Sequence, residues 1–200
     1  MGSTPESVLA FWFGPPGSAA ETAARQRKLW FGKTPENDVA VSERFGQTLE
    51  QAAHGALDAW AKTPRGRLAL VIVLDQFPHH VYRGRREAFA CDAQALTLSL
   101  AAIATGEDRE LAPLERVFLY LPLEHAESLA VQEQAVSLFE TLAGEAAPPE
   151  RAVFDDFLNY ARRHRDVVAR FGRFPHRNAI LGRASSPAEI EFLKQPGSGF

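Results

Sequence analysis

The sequence predicts an all-α protein, a single domain of stacked antiparallel helical hairpins over residues 1–200. Helix starts are marked where a hydroxyl residue precedes proline, at Thr4-Pro5, Thr34-Pro35, Thr63-Pro64 and Ser186-Pro187. Such a hydroxyl accepts from the free N–H groups of the first helical turn, and proline suits the first helical position. Helix ends are marked by glycines 14, 32, 106 and 172, which follow apolar runs and suit the left-handed cap position.

These signals divide the chain into successive elements, with Pro113, Pro122 and Pro149 as further candidate starts. In residues 149–171 apolar side chains recur every three or four positions, which indicates an amphipathic helix. Residues 68–75, LALVIVLD, are apolar enough for a buried strand, but no partner strand is evident, so we predict a buried helix. The predicted helices are at about 5–13, 21–31, 35–61, 64–77, 87–105, 113–121, 123–143, 149–171 and 187–194.

Composition excludes several classes of protein. Of the residues 46% are apolar and 24% are charged, as is usual for a globular domain, and the net charge of −3 does not favour nucleic-acid binding. The lone Cys91 and the absence of CxxC or HExxH patterns predict no disulfide, no metal and no cofactor. We see no signal peptide and no apolar run of the roughly 20 residues that span a membrane. A cytoplasmic location is therefore expected.

Positive charge is concentrated near the end of the chain. Residues 162–183 contain seven arginines and only one acidic residue, Asp166, although the whole chain is slightly acidic. This local excess points either to a small anionic ligand or to ion pairs with the protein's own carboxylates. Candidate internal partners are Asp75, Asp92, Glu124 and Glu127.

Four stretches combine histidines with this charge: LDQFPHHVYRG (74–84), LPLEHAE (121–127), RRHRD (162–166) and RFGRFPHRN (170–178). Histidine transfers protons near neutral pH, and a neighbouring carboxylate orients it. The candidate catalytic residues are His125, His176, Glu124 and Glu127. The candidate ligand-binding residues are Arg170, Arg173, Arg177, Asn178, Asp75, Gln76, Tyr82, Arg83 and His164.

Structural explanations stand beside these assignments. Glu124 and Glu127 fall near a predicted helix start, where carboxylates are favoured by the helix dipole. His164 shares an apolar face with Val168, as a core histidine with one hydrogen bond would. The whole polar set is also compatible with a network that only specifies helix packing.

The ordered set FWFG, LDQFPHHVYRG, AFACDAQAL, RVFLYLPLEHAES, HRDVVARFGRFPHRNAILGR and SSPAEIEFL, from about residue 7 to 194, resembles the uncharacterised bacterial family catalogued as domain of unknown function 924. The resemblance implies an all-helical fold similar to the tetratricopeptide superfold, and no settled activity. His79 stands where the family commonly has arginine, which puts in doubt any anion contact of that arginine.

Two functions from different classes remain open at the level of sequence. One is binding of a small anionic metabolite, a carboxylate or phosphate, with acid–base catalysis as the accompanying chemistry. The other is a tetratricopeptide-like module that clamps an acidic peptide or partner protein without chemistry. Neither involves a nucleic acid or a membrane, and the sequence assigns no oligomeric state.

Overall fold

The structure, a computed structural model, describes residues 2–199, and these are helices and turns without a strand. Short 3₁₀ turns connect several of the helices. The α-helices are α1 (Pro5–Phe13), α2 (Ala19–Phe31), α3 (Pro35–Ala53), α4 (Pro64–Asp75), α5 (Phe77–Val81), α6 (Asp92–Thr105), α7 (Pro113–Glu124), α8 (Leu129–Glu145), α9 (Pro148–Phe171), α10 (Asn178–Leu181) and α11 (Pro187–Leu193).

Helix α4 is the centre of the fold and confirms that residues 68–75 form a buried helix. Every side chain from Leu68 to Asp75 is 0% exposed, and the helix packs against α1, α3, α6 and α7. A helix that is apolar on all sides is stable only when neighbours cover all of its faces. Helices α1, α3, α6 and α7 therefore enclose α4, and α8 and α9 pack outside them.

The helix caps follow the predicted chemistry. The side chains of Thr4, Thr34, Thr63 and Ser186 each accept from a backbone N–H of their first helical turn. Gly172 ends α9 with φ +69°, a left-handed conformation that favours glycine. Gly32 is an exception to the prediction, because its φ is −75° and its backbone is extended.

The segment around Pro122 differs from the sequence prediction. Pro122 does not begin a helix: α7 continues through it and ends at Glu124, with His125 as its C-terminal cap. The buried contacts of Leu119, Tyr120 and Leu123 hold this last turn against the core despite the proline. Glu124 therefore lies at the negative end of a helix dipole, the opposite of the predicted position.

Two other predicted boundaries move. Helix α3 ends at Ala53 rather than at residue 61, and a 3₁₀ turn follows at Asp58–Lys62. Helix α6 begins at Asp92 rather than at 87. Helices α8 and α9 are joined by two residues and pack closely along each other, so they form an antiparallel hairpin.

One stretch, Arg86–Thr105, is long and apolar enough to cross a membrane by length and composition alone. Within this stretch Ala95, Ser99 and Ala102 are buried, and α6 packs against α4 and α7. A test on length and composition is weak support for a membrane span when the helix packs in this way.

Two glycines inside helices make a matched test of this packing. A Cβ atom on Gly66 in α4 would overlap the backbone oxygen of Trp60 and lie 2.8 Å from Oγ1 of Thr63, whereas nothing lies within 4 Å of one on Gly46 in α3. We expect Gly66→Ala to lower the free energy of unfolding by about 1–3 kcal/mol. We expect Gly46→Ala to raise it by about 0.5–1 kcal/mol, because alanine is the better helix former. Urea denaturation measures both, and a Gly66→Ala protein as stable as wild type would contradict the packing described for α4.

Candidate functional site

A buried carboxylate lies at the end of the central helix. Asp75 is the last residue of α4 and is 0% exposed. Burial and the negative end of the helix dipole both disfavour its charge, so the carboxylate needs donors. Gln76 donates from Nε2 to Oδ2, and His125 donates from Nδ1 to Oδ1 over 2.8 Å.

Helix α7 brings His125 to this point. His125 caps the C-terminus of α7, where a positive charge is favoured by the dipole. Its Nδ1 is committed to Asp75, whereas no described residue hydrogen-bonds its Nε2, and its side chain is 17% exposed. Asp75 thus fixes the orientation of the ring and leaves Nε2 available for a hydrogen bond.

The two groups stabilise each other's charged forms. Burial raises the pKa of Asp75, but the charge of His125 and its hydrogen bond outweigh burial and bring that pKa below its ordinary value. Burial lowers the pKa of His125, but Asp75 outweighs it, and the net direction is upward. Each partner therefore favours the charged form of the other.

Two further histidines flank His125 and extend the site in both directions. The ring centroid of His79 lies 5.6 Å away and that of His164 lies 6.3 Å away. His164 is buried in α9, with Nδ1 2.9 Å from Oε1 of Glu124 and 2.9 Å from the carbonyl oxygen of Tyr160. Because both neighbours are acceptors, Nδ1 of His164 carries a proton.

His79 has the opposite protonation preference to its neighbour. Burial, followed by the positive charge of His125, lowers the pKa of His79 to about 3. Its buried Nε2 has no hydrogen-bond partner among the described residues. A neutral imidazole therefore stands beside one whose charged form is favoured by Asp75.

Arg177 is a buried guanidinium whose charge acts on both His79 and His125. It is 7% exposed and lies between the rings of Phe89 and Phe174, at 4.6 and 4.7 Å from their centroids. Its Nη1 donates to Oδ2 of Asp92 over 3.1 Å, and its buried Nε has no described partner. Burial raises the pKa of Asp92 to about 6, although Arg177 opposes the shift.

The other arginines of the basic segment are engaged at its periphery. Arg173 donates twice to Glu189, at 2.6 and 2.8 Å. Arg183 donates twice to Glu127, at 2.6 and 2.8 Å, and that carboxylate also accepts from the backbone N–H of Phe174. These donors outweigh burial and lower the pKa of Glu127.

The structure brings most of the predicted site residues together but places some elsewhere. Arg83 pairs with Asp38, which also accepts from His80, and so is held at α3 rather than at Asp75. Arg170 and Arg173 line an open surface depression of about 520 Å³. The residues that lie around Asp75 or border its neighbours are Gln76, His79, Glu124, His125, Glu127, His164, His176, Arg177 and Asn178.

Three of the predicted residues, Asn178, Tyr82 and His176, have mainly structural contacts. Asn178 is fully buried and joins Arg183 to Ser185 through its amide. The guanidinium of Arg85 lies over the ring of Tyr82, 5.5 Å from its centroid. His176 lies 5.6 Å from the ring of Phe174, and burial, followed by the charge of Arg177, lowers its pKa to about 4.

Sequence reasoning missed several site residues. Asp92 was considered only as an ion-pair partner, and Phe89, Phe174 and Arg183 were not singled out. Asp92 begins α6 and Phe89 ends a 3₁₀ turn, so no helical periodicity connects them with Arg177. The usable signal was local: an aromatic residue, then an acid three positions later, in FACD.

No metal centre is formed by the described part of the chain, since no three of its His, Cys, Asp and Glu side chains are arranged to hold an ion. The site therefore consists of proton-transfer groups and a buried guanidinium. Such an arrangement is equipped to hold an anion and to move a proton on it.

Comparisons with known proteins identify relatives without an assigned activity. Residues 8–197 match the family described as "Bacterial protein of unknown function (DUF924)". The solved structure of a protein of unknown function, ATU0120 from Agrobacterium tumefaciens, is similar with a TM-score of 0.74 and 36% identity. The match covers 88% of this chain and 99% of that one. No curated protein matches the sequence.

The Asp75–His125 pair is directly testable by NMR. In a titration of the histidine ring signals, we expect His125 to have a pKa above the ordinary value of about 6.5 in the wild type. Asp75→Asn removes the charge and leaves burial, so the pKa of His125 should fall below that value. Asp38→Asn is the matched control, because it alters the other Asp–His pair, at His80. An unchanged His125 titration in Asp75→Asn would contradict the pairing.

The same pair makes stability depend on pH. Because the folded chain binds the His125 proton more tightly, this stabilisation is complete below the unfolded-state pKa of about 6.5 and is lost as pH rises through the raised folded-state pKa. We expect the difference in free energy of unfolding between wild type and His125→Asn to shrink steadily above pH 6.5. Urea denaturation from pH 5.5 to 9 measures it, and a constant difference would rule out the linkage.

Proposed function

Given that the chain belongs to the bacterial family of unknown function DUF924, we propose that it binds a small anionic metabolite at the site around His125. The metabolite carries a carboxylate or a phosphate, and the accompanying chemistry is general acid–base catalysis. The Asp75–His125 hydrogen bond, which orients the imidazole and leaves its Nε2 facing away from Asp75, is the observation that carries this proposal.

A histidine oriented by a buried carboxylate is ordinary equipment for proton transfer. The carboxylate selects the ring tautomer and supports the imidazolium, as the Asp–His part of hydrolase triads does. Nothing in the described residues supplies a nucleophile next to Nε2 of His125. The proposal is therefore proton transfer to or from the bound molecule, with His125 as the acid.

Neighbouring groups held in different protonation states are a recurring arrangement in acid–base sites. His79 is kept neutral by burial and by the charge of His125, at a ring distance of 5.6 Å. Asp92, with a pKa of about 6, changes charge close to neutral pH. In this proposal Asp92 returns the proton that His125 donates, and His79 stays neutral throughout.

Arg177 is the proposed anion contact. Its two flanking phenyl rings hold the guanidinium plane, and Nε is a buried donor without a described partner. A rigid guanidinium binds a carboxylate or phosphate with little loss of conformational freedom. Arg173 and Arg183 already hold Glu189 and Glu127 with two hydrogen bonds each, so the ligand contact is assigned to Arg177.

The proposal also includes a tetratricopeptide-like arrangement of the helices and a cytoplasmic location. The antiparallel pairing of α8 with α9, and the packing of successive helices on α4, are compatible with a tetratricopeptide-like stack of hairpins. A metabolite-binding role also accords with a cytoplasmic location. Clamping of an acidic peptide is the alternative that the following experiment separates.

Thermal unfolding with a panel of anions tests the proposal. The probes are formate, acetate, malonate, inorganic phosphate and a phosphorylated triose, with a polyglutamate peptide as the alternative ligand. A probe at 100 times its dissociation constant should add about 2.7 kcal/mol of stability. We expect one small anion to raise the melting temperature of the wild type and to lose this effect in Arg177→Lys and His125→Asn.

Arg162→Lys is the matched control, because Arg162 is exposed on α9 and pairs with Glu140. It should keep the full response. A response to the peptide alone would favour the binding module. Equal responses of Arg177→Lys and Arg162→Lys to the active anion would refute the assignment of Arg177.

A further inference from the structure

The segment 195–199, QPGSG, folds back against α11 as a tight turn. The backbone N–H of Ser198 donates to the carbonyl of Gln195, and the Ser198 hydroxyl donates to the carbonyl of Leu193. Proline at the second position and glycine with φ +77° at the third are the pattern of a type II β-turn. The path of this segment is therefore set by its own residues.

Arg163 on α9 attaches this turn to the body of the protein. Its Nη2 donates to the carbonyl of Gly197 over 3.1 Å. The guanidinium lies so close that a Cβ atom on Gly197 would be 2.8 Å from Nη2. Arg163 also lies over the ring of Tyr160, at 5.0 Å from its centroid, which restricts where the guanidinium can go.

Beyond the turn the segment passes His176. A Cβ atom built on Gly199 would lie 4.0 Å from the Cβ of His176. The ring of His176 lies 5.6 Å from that of Phe174, which in turn contacts both Arg177 and His164. The segment therefore lies against the side of the site that Phe174 and His176 form.

We infer that residues 195–199 are a cover over the His176 side of the site, latched by the hydrogen bond from Arg163 to Gly197. The Arg163–Gly197 hydrogen bond is exposed, and a bond of this kind contributes about 0.5–1.5 kcal/mol. Segments with few buried contacts open far more often than the core does. The cover thus controls access to His176 and Phe174 while the helices remain folded.

Chemical modification of histidine tests the cover without any ligand. Diethyl pyrocarbonate acylates unprotonated imidazole, and the low pKa of His176 keeps its ring neutral at pH 7. His54, exposed at the end of α3, is the internal reference. Mass spectrometry gives the ratio of His176 to His54 acylation at short reaction times.

We expect this ratio to rise severalfold in a chain that ends at Lys194 and in Arg163→Gln. Arg162→Gln, the neighbouring exposed arginine, is the matched control and should behave as wild type. Equal ratios in the shortened and full chains would overturn the cover, and equal ratios in Arg163→Gln and Arg162→Gln would overturn the latch. Because the readout is accessibility, both results are independent of whether any anion binds.

Discussion

A carboxylate at the end of a wholly buried helix is the constraint around which the site is organised. Asp75 occupies the negative end of α4 without access to water, so the fold must supply positive charge and hydrogen-bond donors at that depth. His125 supplies the charge because the C-terminal ends of α7 and α4 lie side by side, which brings its ring to Asp75. Removing either partner leaves an uncompensated buried group, which typically costs about 3–5 kcal/mol. The positions of the two helix ends are therefore coupled through one hydrogen bond.

The basic segment is explained mainly by pairing. Arg173 and Arg183 bind carboxylates of the chain itself and thereby attach residues 172–189 to one another and to the end of α7. Only Arg177 is carried inward, where Phe89, Phe174 and Asp92 enclose it. Arg173 and Arg183 thus hold the last part of the described chain in place, and Arg177 places one guanidinium beside the histidines.

Local signals in the sequence were sufficient for the helices and insufficient for the site. Hydroxyl–proline starts and the apolar run of 68–75 depend on neighbouring residues, and they predicted helix starts and the central helix correctly. Pro122 was misinterpreted because its tolerance inside α7 depends on tertiary packing. Asp92 was correctly named among the possible carboxylate partners, but the sequence could not assign it to Arg177, which lies 85 positions away. Pairings over such distances are specified by the fold and have no local pattern.

The enclosure of Arg177 has a consequence for how this chain can change over evolutionary time. Its guanidinium is matched at once to a carboxylate and to two phenyl faces, so a substitution at any one of these positions leaves the others mismatched. We expect Asp92 and Arg177 to be replaced together, by groups that again balance in charge and volume. Among divergent relatives these positions should covary, and a comparison of the sequences would be enough to show it.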